Sequence, residues 1–173
     1  MRSMWMFRFI PVLLLLLAGG CGYHFSGQGE GPRPGLKTIA IPVFENETAE
    51  ADLGSLFAGA LRHEFLQKGS LQVVPVDQAE AVFRGRITGM FTTEVSHRTV
   101  EETIETRLYV ILDIRCVDPH NGTVLWQDPK LSYYKLFIQA KDPINSFDNR
   151  RQALQFLATE MAIRIHDRFL SNF

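Results

Sequence analysis

Two long stretches of the chain alternate between apolar and polar residues, which is the pattern of a β-strand with one buried face. The first stretch places four apolar side chains on one side, at Phe83, Ile87, Phe91 and Val95. The second stretch, residues 106–117, places five there, at Leu108, Val110, Leu112, Ile114 and Cys116. The pattern predicts two long strands that share a core, with the Cys116 thiol inside it.

Shorter apolar runs and turn residues complete the predicted sheet. Residues 118–122 read Asp-Pro-His-Asn-Gly, and Asn-Gly readily adopts the positive φ angles of a tight hairpin. Residues 123–140 should then return as a strand with a bulge or break at Asp128-Pro129. Upstream, residues 36–44 and 71–76 are predicted strands, and Pro42 indicates an edge position or a bulge because it lacks an N–H.

Two other segments repeat their apolar residues at helical spacing. The first begins at Leu53 and should end at Gly69, which favours a left-handed C-terminal cap. The second runs from about Ser146 to Leu170. The order of elements predicts an α+β fold, in which two helices pack on one face of a mostly antiparallel or mixed sheet of four to five strands.

The first 20 residues have the features of a bacterial signal peptide. Arg2 and Arg8 flank a short n-region, and the ten-residue apolar run that follows at 9–18 is too short to span a bilayer of about 30 Å as a helix. The sequence Ala-Gly-Gly-Cys at 18–21 resembles the lipobox, where the cysteine sulfur is acylated before cleavage between Gly20 and Cys21. An ordinary secretory signal with an incidental cysteine is the alternative.

An acylated Cys21 would fix the protein to a membrane, because each buried CH₂ contributes about 0.8 kcal/mol and two or more chains make the anchor stable. Gly22 stands where Asp would retain a Gram-negative lipoprotein at the inner membrane, so the outer membrane is predicted. The predicted organisation is a signal peptide at 1–20, a lipidated cysteine and flexible tether at 21–35, and one domain at 36–173.

Composition and charge exclude several functions. With 46% hydrophobic and 21% charged residues, the 173-residue chain has the composition of one globular domain. Its formal net charge is -1. Loss of Arg2 and Arg8 with the signal peptide would leave 16 basic against 19 acidic residues, or -3. Such a charge gives no reason to expect nucleic acid as a partner.

The sequence offers little catalytic or metal-binding chemistry. The five histidines show no metal-ligand spacing, and no nucleotide or cofactor motif occurs, so neither a metal nor a cofactor is predicted. No nucleophile lies beside a catalytic partner in the sequence, which predicts that the protein is not an enzyme. Three carboxylates near a hairpin tip leave an enzyme open as a third class: Glu101, Glu102 and Glu105.

Two phrases of the mature chain carry a family resemblance. One is Cys-Gly-Tyr-His-Phe at 21–25, directly after the predicted cleavage site, and the other is KTIAIPVFENET at 37–48. Together with the helix that follows, the long hairpins and the C-terminal helix, they make nearly the whole mature chain resemble the lipopolysaccharide-assembly lipoproteins (LptE).

The resemblance implies a non-enzymatic outer-membrane lipoprotein that plugs the LptD β-barrel, supports the assembly of that barrel and helps to deliver lipopolysaccharide. LptD, lipopolysaccharide and the inner leaflet of the outer membrane would then be its partners. Periplasmic lipoproteins that activate peptidoglycan synthases or build secretion pores share the phrases IPVFENET and VDPHNGTVLW, so they are the alternative. The CGYHF start favours lipopolysaccharide assembly.

Lipopolysaccharide presents phosphates and acyl chains together, so a cation beside an apolar residue is a candidate contact. Arg98 and Val100 have this combination at the tip between the two central strands. Arg150 and Arg151 should add positive charge near the start of the last helix, whose N-terminal end also favours anions.

A partner protein should contact the last helix and the outer face of the sheet. Beside its main apolar stripe this helix has a second stripe, formed by Phe156, Ile163 and Leu170. So wide an apolar arc predicts that part of it is exposed and faces the partner. The alternative is that the second stripe belongs to the core.

Overall fold

The computed structural model describes residues 31–97, 104–140 and 142–171, which form a six-stranded sheet and two helices. The strands are β1 (Thr38–Ala40), β2 (Glu45–Asn46), β3 (Gln72–Val73), β4 (Ala81–His97), β5 (Ile104–Val117) and β6 (Val124–Gln139). The helices are α1 (Leu53–Lys68) and α2 (Pro143–Ser171), with a 3₁₀ turn at Val76–Gln78. The strand order is β3-β1-β4-β5-β6, and β2 also pairs with β4.

The sheet is mixed. Its three long strands, β4, β5 and β6, pair antiparallel, whereas the short strands β1, β2 and β3 make parallel pairs. The predicted α+β fold is confirmed, with one strand more than expected. The extra strand arises because the segment predicted as one strand at 36–44 stops before Pro42 and resumes as β2, and Pro42 has no N–H for a ladder.

The helices begin and end near the predicted residues. Gly69 caps α1 with a φ of 64°, and its N–H donates to the carbonyl of Phe65 at 3.0 Å. The second helix begins at Pro143 rather than near Ser146. Proline suits the first helical turn because the N–H groups there have no partner within the helix.

The core lies between the two helices and the sheet face that they cover. Phe83 of β4 lies 5.5 Å from the ring of Phe65 and 4.9 Å from that of Phe169, and Trp126 packs edge-on against Phe83. The side chains predicted to face the core from β5 are all fully buried, as expected for Leu108, Val110, Leu112, Ile114 and Cys116.

The side-chain alternation of β4 reverses halfway along the strand. The register against β5 shifts between Ile87 and Gly89, so Thr88 is an extra residue, a β-bulge. Ile87 is buried as predicted, but Phe91 and Val95 beyond the bulge are 49% and 43% exposed. The prediction that they share the core face is wrong, because one inserted residue exchanges the two faces of a strand.

The predicted turn closes the β5–β6 hairpin. The N–H of Asp118 donates to the carbonyl of Thr123 at 2.9 Å, and Gly122 has a φ of 73°. The predicted break at Asp128-Pro129 is confirmed too, since the register shifts there and Lys130 has a φ of 63°.

Arg33, which lies within the predicted tether, ties the start of the described chain to the sheet. Its guanidinium contacts the carboxylate of Asp118 at 3.0 Å and the carbonyl of Glu80 at 3.2 Å. Hydrogen bonds from the backbone N–H groups of Lys37 and Thr38 hold the pKa of the Glu80 carboxyl below its usual value. Arg33 adds to this effect.

Burial raises the pKa of the Cys116 thiol to about 12, from about 9.0 when unburied. At pH 8, we expect iodoacetamide to alkylate Cys116 only after denaturation, as followed by peptide mass spectrometry. The unfolded thiol loses its proton first as the pH rises. The stability that comes from burying the protonated thiol is therefore fully present below pH 9. Between pH 9 and 12 the free energy of unfolding falls by roughly 1.4 kcal/mol per pH unit.

The variant Cys116→Ala is the control for this pH dependence and should lack the thiol contribution. Alkylation of Cys116 in the native protein at a rate equal to that of the denatured protein would contradict its placement in the core.

Candidate functional site

Four of the residues predicted to be functional lie outside the described residues: Gly20, Cys21, Arg98 and Val100. The lipidation site and the contact at the hairpin tip therefore stay predictions. The other five are all on α2, at Arg150, Arg151, Phe156, Ile163 and Leu170.

Arg150 and Arg151 lie two turns inside α2. The helix begins at Pro143, and the partial positive charge of a helix N-terminus extends over about one turn. The prediction that this charge favours anions near Arg150 and Arg151 is therefore wrong. Arg150 is paired with the Glu50 carboxylate at 2.5 Å. Arg151 is exposed and has no ion pair within the described part of the chain, so it is the more available cation.

A groove of about 330 Å³ lies beside these arginines, between residues 50–56 and α2. Leu53, Leu56, Phe147 and Leu154 give it apolar walls, and Arg151 is part of its lining. Phe147 is 61% exposed. Glu50 and Asp52 also line the groove, so it combines apolar surface with both charge signs, and a lipid contact at Arg151 stays a prediction.

The second stripe of α2 divides between surface and core. Phe156 is 38% exposed and carries the ammonium of Lys135 over its ring at 4.0 Å. Ile163 is half-buried. Leu170, at 4% exposure, belongs to the core, where it packs near Gly31, so the expectation that it is exposed is wrong.

Six side chains on β4, β5 and β6 form an apolar surface on the sheet face without helices, here called the aromatic face: Phe91, Tyr109, Ile111, Tyr134, Leu136 and Ile138. The rings of Phe91 and Tyr109 stack at 4.8 Å and 11°, and the rings of Tyr109 and Tyr134 are 5.3 Å apart. The alternation pattern of β4 does not predict this row, because the bulge at Thr88 interrupts it. Gly89 was the available signal, since an isolated glycine within a strand pattern often marks a bulge.

Among the described residues, Arg107 is a cation within the aromatic face. The guanidinium of Arg107 on β5 lies 5.1 Å from the ring centre of Tyr134. Its Nε is buried without a hydrogen-bond partner, and no carboxylate among the described residues forms an ion pair with it. Glu105 lies two residues away on the same strand and makes no ion pair with Arg107.

A second cleft of about 330 Å³ opens on the outer face of the sheet beside β2. Arg84 and Arg115 line it from directly opposed positions on β4 and β5, and Arg86 lies next to them. Arg86 is paired with Glu47 at 3.3 Å and with Asp113 at 3.5 Å. The cleft therefore contains both positive and negative side chains. It is a weaker candidate for binding an anion than the surface around Arg107.

Ser70, His166 and Asp167 form a hydrogen-bonded chain in the order used by serine hydrolases. The Ser70 hydroxyl lies 3.0 Å from His166 Nε2, and Nδ1 of that ring lies 3.1 Å from Asp167. However, His166 is 1% exposed and packs edge-on against Phe65, and the neighbouring Gly69 N–H already donates to a carbonyl. The contact is better explained as structural, because a buried imidazole needs hydrogen-bond partners and Ser70 and Asp167 provide them. It joins α2 to the chain just after α1.

The described ranges 31–97, 104–140 and 142–171 contain no cluster of three or more His, Cys, Asp or Glu side chains that could hold a metal ion. Among these same residues, no helix is both long enough and apolar enough to cross a membrane.

Comparison with known families gives one match over most of the chain. The sequence pattern of the lipopolysaccharide-assembly family LptE matches residues 36–169, which include α1, all of α2 except its last two residues, and all six described strands. A comparison with functionally curated proteins gives no significant match.

Solved structures share the fold at low sequence identity. Hypothetical protein CT253 from Chlamydia trachomatis is 13% identical with a TM-score of 0.53, covering 80% of this chain and 99% of its own. A lipoprotein candidate from Caulobacter crescentus CB15 is 19% identical with a TM-score of 0.51, and the match covers 75% of this chain and 88% of the Caulobacter chain. A candidate neuraminyllactose-binding haemagglutinin homologue from Helicobacter pylori is 15% identical with a TM-score of 0.52, and the match covers 84% of this chain and 88% of the Helicobacter chain.

Proposed function

Because this chain belongs to the lipopolysaccharide-assembly family LptE, whose members are non-enzymatic lipoproteins of the outer membrane, we propose that it is the plug and assembly partner of an LptD β-barrel. In this proposal the acylated Cys21 holds the domain at the inner leaflet of the outer membrane. Lipopolysaccharide would contact Arg98 and Val100 at the hairpin tip, together with Arg150 and Arg151.

One observation carries the proposal: the family pattern covers residues 36–169, nearly the whole predicted domain. It favours lipopolysaccharide assembly over the alternatives of a synthase activator or a secretion-pore component, which rest on shared strand and hairpin phrases alone. The groove beside Arg151 supports lipid contact, since it combines apolar walls with a cation.

Contact with the barrel is proposed at Phe156 and Ile163 on α2. We expect Phe156→Glu with Ile163→Glu to lower the amount of LptD that co-purifies with the protein by about tenfold or more, because a charge at an interface hot spot costs binding free energy. The measurement is quantitative blotting of LptD after affinity capture from detergent-solubilised membranes, with circular dichroism as the test of folding.

Leu66→Glu is the matched control. Leu66 is a 64% exposed apolar residue on α1, so this variant should retain the barrel. Unchanged capture of LptD by the α2 double variant would remove α2 from the interface. Failure of the unmodified protein to capture LptD at all would contradict the proposed function.

A further inference from the structure

We infer that the aromatic face binds the acyl chains of a phosphorylated lipid, with the Arg107 guanidinium holding an acidic oxygen of its headgroup. This inference rests on the proposed function, which supplies lipopolysaccharide as the lipid, and it assigns that lipid a second contact surface. The surface lies on the helix-free face of the sheet, whereas Arg150 and Arg151 lie on α2.

The aromatic face is a continuous apolar surface. Phe91, Tyr109 and Tyr134 form one row across three neighbouring strands, with ring centres 4.8 and 5.3 Å apart. Leu136 and Ile138 extend the row along β6, and they are 45% and 48% exposed. A contiguous exposed surface of this kind on a soluble domain usually marks a binding site for an apolar partner.

Arg107 gives the aromatic face a positive charge. Its guanidinium stacks over Tyr134, and it forms no ion pair with any carboxylate in the described ranges. The half-buried Arg107 therefore has no ion-pair partner among the described residues, and a phosphate oxygen would supply both a negative charge in direct contact and hydrogen-bond acceptors. This charge complementarity selects an anionic lipid over a neutral one.

The sequence predicts a partner protein on the outer face of the sheet, but the chemistry of a barrel interior argues against the barrel wall as the occupant of the aromatic face. The lumen of a transmembrane β-barrel is lined by polar side chains, because the apolar side chains of its strands face the lipid. An aromatic and aliphatic surface on a plug is a poor match for a wall of that kind. Acyl chains passing between plug and wall would match it.

The direct test is photo-crosslinking in the full lipidated chain, captured from outer membranes. The crosslinking residue p-benzoylphenylalanine replaces Leu136 in one variant and Val124 in a control variant. Both positions are on β6 and both are 45% exposed, but Val124 lies outside the aromatic face. We expect an adduct detected by a lipid A antibody at position 136 and none at position 124.

The charge is tested with Arg107→Gln and Arg107→Lys in the purified full chain. Binding is measured to lipopolysaccharide, to the same lipopolysaccharide after enzymatic dephosphorylation, and to inorganic phosphate. We expect Arg107→Gln to weaken binding of the phosphorylated form about tenfold and to leave the dephosphorylated form unchanged. Arg107→Lys should restore part of the loss, and inorganic phosphate should not compete at millimolar concentration.

Several outcomes would overturn the inference. An adduct of position 136 with LptD in place of lipid would make the face a protein contact. Equal lipid adducts at positions 124 and 136 would make the contact non-specific, and equal loss of both lipid forms in Arg107→Gln would remove the phosphate contact. In each case, continued capture of LptD would leave the proposed function standing.

Discussion

The variant Gly54→Ala should lower the free energy of unfolding by about 3 kcal/mol, at the upper end of the range for overpacking. A Cβ atom at Gly54 would lie 2.1 Å from the carbonyl oxygen of Phe44, and a backbone atom cannot move aside as a flexible side chain can. The N–H of Phe44 also donates to the Gly54 carbonyl at 3.4 Å, which holds the segment just before β2 against α1. The substitution would therefore force the helix away from the sheet.

Gly59→Ala is the matched control, since it is the same substitution five residues later in the same helix. A Cβ there would approach nothing closer than the end of the Arg62 side chain at 3.9 Å. This variant should raise stability by about 0.5–1 kcal/mol, because alanine loses less backbone entropy than glycine in a helix. Urea titration measures both variants, and similar values for the two would contradict the close contact at Gly54.

Replacing Cys21 with alanine should move the protein from the membrane fraction to the soluble periplasmic fraction. For this test residues 1–20 are exchanged for a secretory signal that is cleaved without lipidation, so that an uncleaved leader does not hold the chain. Loss of two or more acyl chains removes many buried CH₂ groups at about 0.8 kcal/mol each, far more than a peripheral contact provides. Ultracentrifugation followed by blotting measures the distribution.

Cys116→Ala with the native leader controls for loss of a cysteine and should stay with the membrane. Mass spectrometry of the mature N-terminus provides a second measurement, with a lipid-modified Cys21 as the expected result. A free amine on another residue would contradict lipidation, and so would continued sedimentation of the Cys21→Ala variant in the absence of LptD.

The phrase IPVFENET, which contributed to the family resemblance, has a structural explanation in this fold. The ring of Phe44 lies so close to Gly85 of β4 that a Cβ there would come within 2.6 Å of it. Asn46 accepts hydrogen bonds from the backbone and hydroxyl of Thr48, and its amide donates to the carbonyl of Glu50 at 2.7 Å. The phrase therefore builds the connection from the sheet to α1.

The sequence by itself determined the elements whose signals are local. The alternation on β5 predicted five buried side chains, Gly69 predicted the end of α1, and the Asn-Gly at 121–122 predicted the hairpin, because each depends on backbone geometry within a few residues. Only the tertiary structure decided which faces are exposed. The bulge at Thr88 moved Phe91 to the outer face, since a bulge is defined by the pairing of two strands. Likewise Leu170 is buried because the end of α2 packs against chain segments distant in sequence, which no periodicity within the helix can reveal.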